Sequence, residues 1–69
     1  MRHLQAIRSD PGYVDQVPRK LAYQAAHPDT EIIWCGPYWK AVIREGEGSS
    51  TEINRVTLEW LLDKLESLP

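Results

Sequence analysis

The chain has 69 residues, with 8 Lys plus Arg against 10 Asp plus Glu and a formal net charge of −2. That balance argues against a surface built on many phosphate contacts, which needs an excess of cations. Its single cysteine excludes a disulfide within the chain, and no apolar run approaches the roughly 18 residues that a membrane span requires.

So short a chain is expected to form one domain over residues 1–69, and its core alone would supply only ~3–5 kcal/mol. Support from self-association or from a partner is therefore expected, because Cys35, His3, His27 and the carboxylates show no metal-ligand spacing. The N-terminus lacks the pattern of a signal peptide, and the cytoplasm is the expected compartment.

In chain order, residues 1–8 suit either a short helix or a strand, and Leu4 and Ile7 fit both. Asp10-Pro11-Gly12 and His27-Pro28-Asp29 are turn signals. Between them Val14, Val17, Leu21 and Ala25 recur on one side, with Arg19, Lys20 and Gln24 elsewhere, which predicts an amphipathic helix. Pro18 lacks a backbone donor, so this helix is expected to begin or to kink there.

Two runs rich in β-formers follow, residues 31–35 and 38–44, separated by Gly36-Pro37. Gly suits the first central position of a type II′ turn and Pro the φ of the second, so a two-residue hairpin is predicted. Its register sets Cys35 opposite Tyr38, Trp34 opposite Trp39, Ile33 opposite Lys40 and Ile32 opposite Ala41. Side chains alternate across a sheet, so Ile32, Trp34, Trp39, Ala41 and Ile43 share the expected core side. Ile33, Cys35, Tyr38, Lys40, Val42 and Arg44 share the other, which is half apolar and half basic.

At the C-terminus Leu58, Leu61, Leu62, Leu65 and Leu68 form a leucine stripe. Thr57 can cap a helix starting at Leu58, with Val56 stapled to Leu61; alternatively Ser49 and Glu52 form a capping box for one starting near Ser50. The first is favoured, because Thr51, Ile53, Val56 and Thr57 are β-branched and residues 46–48 make a natural hairpin loop. The expected fold is α+β: a helix, a two- or three-stranded antiparallel sheet and a C-terminal helix on its Trp34/Trp39 side, in the order α-β-β-(β)-α. Trp34, Trp39, Ile43, Leu61 and Leu65 are expected to be buried together.

Trp34-Cys35-Gly36-Pro37 resembles the Trp-Cys-Gly-Pro-Cys motif of thioredoxins, with Tyr38 where the second cysteine would stand. The resemblance implies thiol chemistry, but without a resolving thiol only a monothiol role for Cys35 is left as an alternative. The succession of helix, Gly36-Pro37, β run, Gly-Glu-Gly-Ser-Ser over residues 46–50 and terminal helix resembles a double-stranded RNA-binding domain. That family reads phosphates with a lysine cluster opening its last helix. The matching stretch here is Thr51-Glu52-Ile53-Asn54-Arg55, one acid and one cation, so binding of duplex RNA is a second alternative and nucleic acid is not the expected partner.

His3 and His27 suit capping or solvent roles, and Ser9, Ser49, Ser50 and Ser67 lie in cap, turn or tail contexts without a spaced acid and base. Glu45 and Glu47 flank a loop glycine, while Glu59, Asp63 and Glu66 fall on the wet side of the last helix. Neither an enzyme nor a cofactor or metal is expected. The suggestive residues are aromatic and cationic: at about 100° per residue Trp60 points roughly opposite the leucine stripe, where it is either covered by Leu4 or Ile7 or free as an anchor. Tyr38, Lys40, Val42 and Arg44, on the sheet side opposite the core, form a second patch, and at least one of the two patches is expected to carry the contact with a partner or a second copy. The expected function is a non-catalytic protein-interaction module, a small regulator or inhibitor of the kind mobile elements carry, acting on a protein partner or as a homodimer.

Overall fold

The computed structural model describes residues 10–69. The alternatives for residues 1–8, the place of His3 and the cover of Trp60 by Leu4 or Ile7 lie outside the described residues. The elements run α1 (Tyr13–Ala26), β1 (Thr30–Trp34), β2 (Trp39–Arg44), β3 (Ser50–Arg55) and α2 (Leu58–Glu66). This is the α+β order expected, with the three-stranded form of the sheet.

Gly36-Pro37 sets the register from which the sheet follows. Gly36 takes φ +102°, a region closed to most side chains, and the Cys35 N–H donates to the Tyr38 carbonyl at 2.8 Å. Trp34 then pairs with Trp39, Ile33 with Lys40 and Ile32 with Ala41, antiparallel. Gly46 and Gly48 also take positive φ in the next loop, returning the chain as β3 antiparallel to β2. The strand order is β1-β2-β3, so β2 is central.

Residues 50–55 are strand rather than helix, and the last helix begins where Thr57 caps it, its hydroxyl accepting the Trp60 N–H at 3.2 Å. Val56 remains 56% exposed, so a staple onto Leu61 adds little. Leu58, Leu61, Leu62 and Leu65 are buried against Ile32, Trp39, Ala41 and Ile53 of the sheet. Trp34 and Ile43, expected in this cluster, pack at its margin half-buried. Trp34 ends an edge strand, its ring tilted on Trp39 at 5.0 Å, and Ile43 lies where the core opens into a recess.

The first helix departs most from the reading of its sequence. It starts at Tyr13, runs through Pro18 and buries no residue. Tyr13 and Tyr23 pack on the core, whereas Val14 and Leu21 of the apolar stripe are 54% and 57% exposed. Two tyrosines with polar tips and large apolar rings thus replace the stripe as the packing face. The orientation is held by Arg19, which donates to both Glu66 oxygens at 2.7 and 2.9 Å and to Asp63 at 2.6 Å on α2.

Asp10 locks the other end of this arrangement. It is only 4% exposed, and its Oδ2 accepts the Trp39 indole N–H and the Leu58 backbone N–H, each at 2.8 Å. One carboxylate oxygen therefore ties the entry to α1, the central strand and the first turn of α2. The helix N-terminus, with its unpaired donors and positive dipole end, is a favourable place for this charge.

Candidate interaction surfaces

Both helices lie on the Trp34/Trp39 side of the sheet, and no described residue covers the opposite side. Reading across the strands, that open face carries a row Glu31–Val42–Glu52 and, one pleat along, a row Ile33–Lys40–Asn54. Tyr38 and Cys35 continue it beyond Lys40, and Arg44 and Ser50 beyond Val42. Lys40, Val42 and Arg44 therefore form one line down the central strand, as expected, with Tyr38 in the turn just before it. Ile33 beside it is 38% exposed, while Tyr38, Lys40 and Val42 are half-buried by their neighbours.

Arg44 reaches Glu31 at 3.7 Å, an exposed ion pair of small worth. Lys40 and Glu52 form no ion pair among the described residues. Glu52 and Asn54 of the open face were missed from sequence. The period of two was legible in β3, but its register on β2 depends on how residues 45–49 close the loop.

Trp60 does not join this face. It projects from α2 away from the buried leucines, 60% exposed, in the helical layer and hence on the other side of the sheet. The five residues thus make two separate patches, as expected. Cys35 stands half-buried at a hairpin turn, followed by a strand and not by the helix whose terminus would activate a thiol. The last helix likewise opens on Leu58-Glu59-Trp60, with no lysine before Lys64 in its last turn.

A half-open recess of about 500 Å³ lies between the ends of α1 and α2, over Ile43 and Leu65. His27 closes one side by stacking its ring on Tyr23 at a centroid distance of 4.0 Å, rather than by capping carbonyls through the imidazole. Its carboxylates are already engaged, Glu66 by Arg19 and Glu45 by the Thr51 hydroxyl at 2.8 Å. No buried side-chain nitrogen or oxygen among the described residues lacks a hydrogen-bond partner, so the recess supplies shape without an unmet polar group. No three His, Cys, Asp or Glu side chains among the described residues are grouped to hold a metal, and none of the described helices is long and apolar enough to cross a membrane.

The Arg19 hydrogen bond holds the Glu66 carboxyl below the usual carboxylate range, its charge adding to the effect against desolvation. A depressed acid stabilises the fold above its unfolded pKa, and that contribution is lost as pH falls through the lower folded value. The melting temperature of Glu66→Gln should accordingly fall less than the parent's on acidification from neutral through the carboxylate range. Because Arg19 and Glu66 are 31% and 45% exposed, the difference should correspond to ~1 kcal/mol or less. Parallel acid-limb slopes for the two proteins would refute the assignment.

Comparison of the chain with protein-family models, curated protein sequences and solved structures returned no match.

Proposed function

We propose that this chain is a non-catalytic protein-interaction module, a small cytoplasmic regulator or inhibitor that acts by covering a surface of its partner. The observation that supports this reading is the uncovered sheet face, where Tyr38, Ile33 and Val42 surround Lys40, and Arg44 follows beyond Val42. Aromatic and arginine side chains ringed by aliphatic ones are the residue types that dominate the energy of protein interfaces. Trp60 supplies a second, separate anchor in the helical layer.

Site-specific photo-crosslinking in the producing cell tests this directly. A photoreactive phenylalanine analogue at position 38 or 60 should give discrete protein adducts, whereas the same group at Glu47, in the exposed loop, should not. At the true anchor, alanine substitution should weaken association by ~2 kcal/mol or more with little change in the melt. Absence of adducts from both positions would refute the reading, and adducts from position 47 alone would move the surface to that loop.

A further inference from the structure

We infer that the partner of the open sheet face is a second copy of this chain, packed face to face about a two-fold axis running across the strands; this rests on the interaction reading above. The pattern of charges selects that axis. Down β2 the open face reads Tyr38, Lys40, Val42, Arg44, with Glu31 and Glu52 flanking Val42 on the neighbouring strands. A two-fold parallel to the strands would stack Lys40 on its own copy, which like-charge repulsion forbids. One across the strands, passing between Lys40 and Val42, reverses the order and sets each residue against a different chemistry.

In that arrangement Lys40 of one copy lies over Val42 of the other, with Glu31 and Glu52 one strand spacing, about 4.8 Å, to either side. The ammonium, which no described carboxylate of its own chain pairs, enters a site between two acids, of which Glu52 is also unpaired among the described residues. Arg44 of one copy falls over Tyr38 of the other, an arrangement suited to a cation–π contact. Ile33 and Val42 are removed from water on both copies. Packing at the usual sheet-on-sheet angle of about −30° keeps these rows in register at the centre.

Size sets the strength. Three strands of five or six residues present a face of roughly 14 by 20 Å, which places the pair among small, weak interfaces rather than permanent ones. The dimer is therefore concentration-dependent and is maintained by charge matching, which also excludes the wrong axis.

Sedimentation equilibrium over a range reaching millimolar protein tests this. The parent should dimerise, and both Lys40→Glu and Glu31→Lys/Glu52→Lys should raise the dissociation constant on the order of tenfold or more, each by placing like charges together. Mixed in equal amounts, the two variants should recover the parent's affinity as a heterodimer, because Glu at 40 then faces Lys at 31 and 52 while Lys40 faces the original acids. A parent monomeric at every concentration, a dimer that survives Lys40→Glu, or failure of the mixture to associate would overturn the inference. Circular dichroism melts establish that each variant is folded; should either be unfolded, the parent's own dimer decides, since it must loosen with added salt and a salt-indifferent dimer contradicts it. Photo-adducts from position 38 of a mass other than twice the chain, beside a monomeric parent, would leave the interaction module standing and remove only the second copy.

Discussion

Leu61→Ala should unfold this protein, or leave it folded only marginally, whereas Leu21→Ala should melt like the parent. Both residues are leucines at helical positions in amphipathic patterns, although only Leu61 was expected from sequence in the buried cluster. Leu61 is fully buried beneath the sheet, and its truncation removes apolar contact and opens a cavity, at a cost of about 2–5 kcal/mol. A core of this size supplies only ~3–5 kcal/mol in total, so little stability would remain. Leu21 is 57% exposed, and its loss should stay within about 0.5 kcal/mol. Thermal melts followed by circular dichroism distinguish them; equal effects at the two sites would mean that α1 packs through its aliphatic stripe after all.

Asp10→Ala should be nearly as damaging, although position 10 lies in an N-terminal turn. Without the carboxylate, the Trp39 indole N–H and the Leu58 backbone N–H are left unpaired in a buried site. Hydrogen bonds to a charged group contribute about 1.5–3 kcal/mol each, and a buried donor without a partner costs a similar amount. Some solvent would enter at this margin, so a combined loss of about 2–4 kcal/mol is expected. Asp10→Asn retains an oxygen able to accept but forfeits the charge at the start of α2, and should fall between the two. In a Trp34→Phe/Trp60→Phe background Trp39 reports the change, since its emission should shift to the red as the indole gains water. An Asp10→Ala protein with the parent's melt and emission would show that the turn does not hold these elements together.

The sheet was legible for a specific physical reason. A two-residue hairpin allows a single register, so once Gly36-Pro37 is recognised every partner from Cys35–Tyr38 to Ile32–Ala41 follows, and alternation sorts the two faces. The C-terminal helix was equally legible, because Thr57 and the leucine stripe agree on where it starts and which side it buries. Those local signals also placed Tyr38, Lys40, Val42 and Arg44 on one face and Trp60 away from the core.

Periodicity could not say which side of α1 would meet the rest of the molecule. The aliphatic stripe of Val14, Val17 and Leu21 is the stronger signal along the chain, yet Tyr13 and Tyr23 pack inward, and Arg19 holds that rotation through Asp63 and Glu66, more than forty residues away. Asp10 read as a turn residue for the same reason, since its two partners lie 29 and 48 positions distant. The amino-acid sequence by itself determined the order of the elements, the hairpin register and the leucine side of the core, all of which depend on neighbours within a few residues, while it left residues 50–55 open between strand and helix. Only the tertiary structure decided the facing of α1 and the burial of Asp10, because each depends on long-range contacts whose geometry no local pattern encodes.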